Sequence, residues 1–253
     1  LTKLTPQPNN VRDFYQTGMN LNNSISLTSG AEQYNVRFTY ANQQRTLILP
    51  NASKDQHQFG LSGSYDLGKK LTFSNDITYT TSYTKGQPNE GYLNDGTNIT
   101  QNFNQWFQRQ IDIPRMRRYR EADGSLNSWN IGNPNSTGNM ATLLTPAYWD
   151  NPYFIAYEDY STRRTDRLLG NVGLNYKINS HLSVQSNARI SSYTNEVDQR
   201  MAAGGCEINS YSIYQDQNRE LNYETNVLYK NKFGDFSLDG LVGGNIRRNY
   251  IAV

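Results

Sequence analysis

The sequence predicts an all-β chain of antiparallel transmembrane strands, and three observations predict it. Apolar and polar residues alternate with period two, short turns at one end contrast with long loops at the other, and aromatics band near both ends. Composition narrows the field first. The chain has 253 residues, 36% of them hydrophobic, 12% aromatic and 18% charged, with a net charge of +2. An ordinary globular chain has about 45–50% apolar and about 25% charged residues. The hydrophobic count here includes 19 Tyr and omits 19 Gly, so it stands on the same basis as that figure. A disordered chain is poor in aromatics and high in net charge, unlike this one. A helical membrane protein needs runs of about 20 apolar residues, and none occurs. A helical bundle is rich in Ala, Leu, Glu and Lys rather than in Tyr, Asn, Thr and Gly.

The first strand pair sets Ile25 and Leu27 against Tyr34, Val36, Phe38 and Tyr40, joined across Gly30-Ala31-Glu32. In the second, Phe59, Leu61, Gly63 and Tyr65 alternate with Gln58, Gly60, Ser62, Ser64 and Asp66 up to the connection Leu67-Gly68-Lys69-Lys70. Beyond it Leu71, Phe73, Asn75, Ile77, Tyr79, Thr81 and Tyr83 occupy one face and Thr72, Ser74, Asp76, Thr78, Thr80, Ser82 and Thr84 the other. Two alternating runs with a short glycine-bearing connection read as a hairpin. The third pair runs through Leu168, Val172, Leu174 and Tyr176, turns at Asn179-Ser180, and returns through Leu182, Val184, Ala188 and Ile190. The fourth runs from Leu221 through Tyr223, Val227 and Tyr229 to Lys232-Phe233-Gly234-Asp235, then through Phe236, Leu238, Val242 and Ile246. The expectation is eight strands in four hairpins.

The opposite connections are long: Asn42 to Asp55, Lys85 to Arg163, and Glu196 to Asn209. Loops beyond about 12–15 residues are uncommon in compact domains, and soluble sandwiches run strands of about 5–6 residues. A tilted strand of about 9–11 residues suits a bilayer, and outer-membrane barrels pair short periplasmic turns with long extracellular loops. Tyr65, Tyr176 and Tyr229 lie near the short turns while Tyr79 and Tyr83 lie near the long loops, as interfacial girdles require. High strand propensity alone also enriches Tyr. Asn75 is the one polar amide on the nominal lipid face of its strand.

The segment Asn10-Val11-Arg12-Asp13-Phe14-Tyr15-Gln16-Thr17-Gly18, followed by Asn22-Asn23-Ser24-Ile25-Ser26-Leu27, resembles the opening of an early barrel strand in the SusC/RagA-like TonB-dependent transporters of the Bacteroidetes outer membrane. The resemblance continues at Tyr34 to Asn42 and at Leu49-Pro50-Asn51. It extends to Trp106-Phe107-Gln108-Arg109-Gln110-Ile111-Asp112, Asp123-Gly124-Ser125, Ser128-Trp129-Asn130 and Trp149-Asp150-Asn151-Pro152-Tyr153-Phe154. It implies a 22-stranded barrel with a plugged lumen, of which residues 1–253 supply middle strands and 85–163 a long extracellular loop. A TonB box, plug domain and closing C-terminal strand are absent from these residues. Eight such strands cannot close, because Leu21 to Gly30 and Gly234 to Tyr250 would leave unpaired edges in lipid. The Leu1-Thr2-Lys3 start shows no export signal and Ile251-Ala252-Val253 stops within a strand pattern, as expected of a piece of a longer chain.

Chemistry for an enzyme is hard to find. There is no Gly-x-Ser-x-Gly elbow, phosphate loop or His-Glu helix motif. His57 and His181 are far apart and Cys206 is the single cysteine, so zinc spacing is missing and no cofactor is expected. Asp112, Glu121 and Asp123 read as solvated loop acids. Binding has better candidates: Trp106, Trp129, Trp149 and Tyr153 in the long loop, with Arg109 and the run Arg115, Arg117, Arg118 and Arg120. The tryptophans either stack on a sugar or partner surface or form the loop's own core. The arginines either meet glycolipid phosphates or an acidic nutrient, or form a solvated face. Asp76, Thr78, Gln185, Asn187, Arg189, Glu224 and Asn226 are expected to line the lumen.

The resemblance implies an outer-membrane importer for glycans or peptides, with a SusD-like lipoprotein as lid over the long loops and TonB acting through segments outside this sequence. The alternative is a soluble or surface β-sandwich that binds carbohydrate. Nucleic-acid binding is disfavoured by the net charge of +2.

Overall fold

The computed structural model describes residues 5–87, 89–92, 96–132, 137–138 and 145–252. Leu1, Thr2, Lys3 and Val253, the ends noted above, lie outside them, as do stretches of the 85–163 loop. Eight strands follow in order: β1 (Met19–Ala31), β2 (Tyr34–Thr46), β3 (Ser53–Leu67), β4 (Leu71–Lys85), β5 (Ser161–Lys177), β6 (Leu182–Met201), β7 (Ser210–Phe233) and β8 (Phe236–Ala252). They form one antiparallel sheet in sequence order, each strand bonded to the next. The tight turns form where the sequence supplies residues for them. Gly68 and Gly234 take positive φ values of 78° and 60°, which other residues rarely adopt.

Every strand pair keeps a single register from end to end. Because side chains alternate across the pleat, an unbroken register carries each strand's polar set onto one common face and its apolar set onto the other. Leu27, Phe38, Leu61, Ile77, Gly170, Ile190 and Leu221 thus lie in one row across β1 to β7. Asn75 lies in this outward set opposite Gly63, and its Nδ2 donates to the Leu61 carbonyl at 3.1 Å, so its polar group is satisfied.

The register also shows the tilt. A perpendicular path from Ala31, the end of β1, passes through Tyr34, Tyr65, Phe73, Leu174, Ser186 and Thr225 to Gly244, eight residues past the start of β8. A slip of eight residues over seven strand steps, at a rise of about 3.3 Å and a spacing of about 4.8 Å, tilts the strands by about 40°. That is the tilt of a membrane barrel, about 35–45°.

No second layer covers either face among the described residues. The accessible surface is 16913 Å², against about 11,400 Å² for a compact monomer of 28.9 kDa. Apolar side chains such as Ile25, Leu61 and Val172 are exposed along the outward face. The β-sandwich alternative is therefore excluded: a sandwich buries this face against another sheet, and the described residues form one sheet only. The buried apolar cluster lies at the long-loop end, in Phe14, Leu49, Ala52, Ile99, Ile113, Met116, Trp129, Trp149, Tyr153, Ile155 and Ala156.

The strands outrun their sequence signal. β6 continues to Met201, β7 begins at Ser210 and β5 at Ser161, so the long connections shrink to 47–52, 86–160 and 202–209. Beyond the apolar band both faces carry polar residues, as at Thr194, Asn195, Asp216 and Gln217. There the hydrophobic period vanishes while the backbone ladder goes on.

Gly63 sits where the ladder leaves no room: a Cβ there would come within 2.4 Å of the Asn35 carbonyl oxygen and 3.2 Å of Val36 Cα. Gly63→Val is expected to cost about 1–3 kcal/mol through overpacking, measured as a lower urea-unfolding midpoint of the full-length protein, whereas Gly240→Val, in open space, leaves it unchanged.

Candidate functional site

The site has two parts, the polar face of the sheet and a folded cap at its long-loop end. On the polar face Asp76 stands opposite Asn171 and Asn171 opposite Arg189. Arg189 Nη1 donates to Glu224 Oε2 at 2.8 Å and to Asn222 Oδ1 at 3.3 Å. Asn222 and Asn245 exchange side-chain amide bonds of 3.1 and 2.8 Å, and Asn226 donates to Glu224 Oε1 at 2.6 Å. Arg247, opposite Asn222 in the same row, reaches one row higher to pair with Glu220. Asp76, Thr78, Arg189 and Glu224 line a single concavity with Asn171 and Asn222. Gln185, Asn187 and Asn226 share the face but lie closer to the short turns, Gln185 opposite Asn226 and Asn187 opposite Glu224.

Each arginine in this ladder has an acid beside it, so the wall offers many donors and acceptors with little net charge. Such exposed pairs contribute little to stability. Their effect is to hold the side chains flat along the wall. Glu220, Asn222, Asn245, Arg247 and Asn171 were not singled out from the sequence, although the parity of β5, β7 and β8 already places them there.

The cap is a separate small packing unit built on three short helices, α1 (Ile99–Asn104), α2 (Ile113–Met116) and α3 (Pro152–Glu158), with a 3₁₀ turn at Asn10–Phe14 against them. Each helix starts at an Asn or Asp cap. Asn98 accepts from the Thr100 and Gln101 amides, Asp112 from the Arg115 amide, and Asn151 from the Tyr153 amide with Pro152 at the first helical position. Phe14 packs edge-on against Phe103 at 5.0 Å and against Tyr153 at 5.0 Å, while Phe107 meets Trp129 at 5.0 Å.

Of the loop residues proposed for binding, Trp129, Trp149 and Tyr153 are inside this core. Trp129 Nε1 donates to Asn102 Oδ1 at 3.0 Å, and Asn102 Nδ2 to the Asp150 carbonyl at 3.1 Å. Trp106 is different: it is 84% exposed and held at φ 64°, an uncommon backbone state for a bulky residue. With Tyr92 and Tyr148, also exposed, and with Gln101, Gln105, Asn130 and Trp149, it lines a groove that carries no charged side chain among the described residues. Arg109 and Arg115 are exposed. Arg117 Nε donates to the Tyr153 hydroxyl at 3.3 Å, Arg118 pairs with Glu121, and Arg120 Nε donates to Glu158 at 2.9 Å. The Arg120 guanidinium holds the Glu158 carboxyl below its ordinary range. The basic run is thus largely tied into the cap rather than free.

The cap is clasped to the β6–β7 connection. Asp150 and Asp159, at the two ends of α3, accept from the backbone amides of Cys206 at 3.0 Å and Ala202 at 2.6 Å. Gly205 permits this approach, since a Cβ there would lie 2.8 Å from Asp150 Oδ2 and 3.0 Å from Phe154. Burial pushes the Asp159 carboxyl up to about 7, against the lowering effect of the Ala202 amide, and raises Asp150 likewise. Burial and the neighbouring Asp150 push the Cys206 thiol up to about 12, which favours the neutral thiol over the thiolate. Ile155, Ala156 and Asp159 of the cap share a cavity of about 110 Å³ with Gln199, Ser210 and Ser212, which lie on the polar-face parity of β6 and β7. The cap therefore leans over the polar side of the wall.

A tilted, two-faced, single-layer sheet with a cap over its polar side defines a section of the wall of a large β-barrel. Among solved structures the chain is similar to the RagAB peptide importer in its closed-closed state, with a TM-score of 0.66 and 11% identity over 95% of this chain and 26% of that one. The RagAB peptide transporter gives 0.66 and 11% over 96% and 26%, and the open-open state of the importer 0.64 and 11% over 95% and 26%. The chain spans about a quarter of the length of these proteins, and the likeness is one of fold. No family model and no curated protein matches.

Two outcomes follow from the cap. Asn151 Nδ2 donates to the Met116 and Asn127 carbonyls at 2.9 and 2.8 Å from a fully buried position. Asn151→Ala leaves those carbonyls unpaired and is expected to cost on the order of 3 kcal/mol, seen as roughly 100-fold faster hydrogen exchange confined to residues 96–132 and 145–160. Asp159 binds its proton more tightly folded, at about 7, than unfolded, at about 4. Its protonation therefore stabilises the cap fully below about pH 4, and this contribution is lost as pH rises through about 7. Exchange at the Ala202 amide should accelerate between about pH 4 and pH 7 in the natural protein, after correction for intrinsic rates, and do so much less in Asp159→Asn.

Proposed function

We propose that this chain forms part of the wall and extracellular cap of a TonB-dependent importer in the bacterial outer membrane. The observation that carries the reading is the unbroken register. It presents Leu61, Ile77, Val172 and Leu174 on one side and Asp76, Thr78, Arg189 and Glu224 on the other, over strands tilted as in a barrel. In lipid each strand satisfies its backbone groups through its neighbours, and the outward side chains take the place a core would otherwise have. Inward, the paired Arg189–Glu224 and Arg247–Glu220 and the Asn residues offer a solute weak, replaceable hydrogen bonds. The cap narrows the approach to that face.

The nutrient is a peptide or a glycan. The fold likeness to a peptide importer supports the first. The groove of Tyr92, Trp106 and Tyr148 with Gln101, Gln105 and Asn130 supports the second, since aromatic faces and carboxamides suit the C–H faces and hydroxyls of a sugar. A SusD-like surface lipoprotein seated over the long-loop end and TonB acting through regions outside this chain complete the assembly. Removing Trp106, the most exposed tryptophan, tests the glycan route: Trp106→Ala should weaken glycan binding by about 1–3 kcal/mol in titration calorimetry and leave peptide binding unchanged.

The membrane reading has its own test. In a Cys206→Ser background, Thr78→Cys in the full-length protein should react with a membrane-impermeant thiol reagent from the aqueous lumen, and Ile77→Cys should stay protected. Equal labelling at both positions would contradict it. Leu61→Arg at mid-band should cost about 2–4 kcal/mol, while Ser62→Arg, on the other face, should be tolerated.

A further inference from the structure

On the polar face the arginines of β6 and β8 come with acids, Arg189 with Glu224 and Arg247 with Glu220. The outward face is different. By register it comprises the odd-numbered residues of β7 and the even-numbered residues of β8. Along these two strands Arg219 and Arg248 are its only charged side chains. Neither forms an ion pair among the described residues. The nearest outward acid on β6, Glu196, stands opposite Gln215, four residues along β7 from Arg219, and its carboxylate already accepts from the Gln215 amide.

The two guanidiniums are neighbours. Tyr250 lies directly opposite Arg219, and Leu221 directly opposite Arg248, so the arginines stand diagonally across the β7–β8 pair, about 7–8 Å apart at the backbone. Arg219 Cζ lies 5.5 Å from the centroid of the Tyr250 ring. Two like charges this close, without an acid, repel each other unless an anion joins them.

Their height gives the anion its source. Arg248 is twelve residues up from Phe236, and Arg219 fourteen from Phe233. At a rise of about 3.3 Å per residue and a tilt of about 40°, both stand roughly 30–35 Å above the short turns. The apolar band of a membrane barrel is about 25 Å tall. Here it runs up β7 and β8 from Tyr229 and Leu238 to Tyr223 and Ile246. The arginines therefore lie just past the band, at headgroup level, beside a tyrosine of the kind that marks the interface.

We infer that Arg219 and Arg248, with Tyr250 against them, form a binding site for the phosphate of an outer-leaflet glycolipid headgroup. The inference rests on the outer-membrane reading above. Guanidinium forks match phosphate oxygens bidentately, and the ring of Tyr250 shields one of them from water. The site lies outside the lumen and does not depend on the imported solute.

Native mass spectrometry of the full-length protein in detergent tests the site, with a bisphosphorylated acylated disaccharide lipid and its dephosphorylated counterpart as probes. The natural protein should retain the phosphorylated lipid at least tenfold better than the other. R219Q/R248Q should lose that preference, and R219K/R248K should recover part of it, which separates charge from folding. Equal retention of the two lipids by the natural protein, or an undiminished preference in R219Q/R248Q, would overturn the site. So would full displacement of the lipid by inorganic phosphate at equal concentration, because the site would then be one for a free ion. A protein that fractionates with the outer membrane but shows any of these three results loses this inference alone. One that never reaches that membrane loses the importer reading as well.

Discussion

The structure depends on the continuity of one antiparallel ladder. Seven strand pairings run without a slip, from Met19 opposite Thr46 to Phe233 opposite Phe236. A shift of one residue at any pairing would send the following strand's apolar side chains to the polar face. Everything else follows from that constraint. The outward row of Leu27, Phe38, Leu61 and Ile77 is continuous because the register is. The inward concavity around Arg189 exists because Asp76, Asn171, Arg189 and Asn222 stand in successive strands at one level.

The cap solves a different physical problem. A connection from 86 to 160 cannot be ordered by the ladder, so it carries its own core. It does so with aromatics and with buried amides that satisfy backbone groups, Asn102 at Trp129 and Asp150, Asn151 at Met116 and Asn127. The buried carboxylates Asp150 and Asp159 then bind the turn at 202–206. Burying them disfavours their charged forms, which makes this contact the titratable part of the cap. The wall and the cap are thus stabilised by different means, backbone pairing in one and side-chain packing in the other.

Charge is distributed by the same logic. Where the wall faces inward around β6 to β8, Arg189 and Arg247 each stand with a glutamate, so that stretch is polar without a strong field. Consecutive residues Arg247 and Arg248 illustrate it: the pleat sends one to Glu220 and the other to the outward face with no acid beside it. A net charge of +2 conceals this difference, since it averages over faces that never meet.

Much of the wall was legible in the sequence because a period of two is a local property. Runs such as Leu71 to Tyr83 show which residues share a face before any partner strand is known, and glycines such as Gly68 mark the turns. The strand ends were not legible, because above the apolar band Asn195, Thr194, Asp216 and Gln217 leave no alternation to read. Nor was the fate of the tryptophans. Trp106 and Trp129 have the same chemistry and lie in the same loop, yet one is exposed and the other is packed on Phe107. The sequence by itself determined the faces of the sheet, since alternation is set by the covalent geometry of the chain. Only the tertiary structure decided which inward residues meet across strands, which loop aromatics form the core and which two arginines stand unpaired together, because each depends on contacts between residues far apart in the chain.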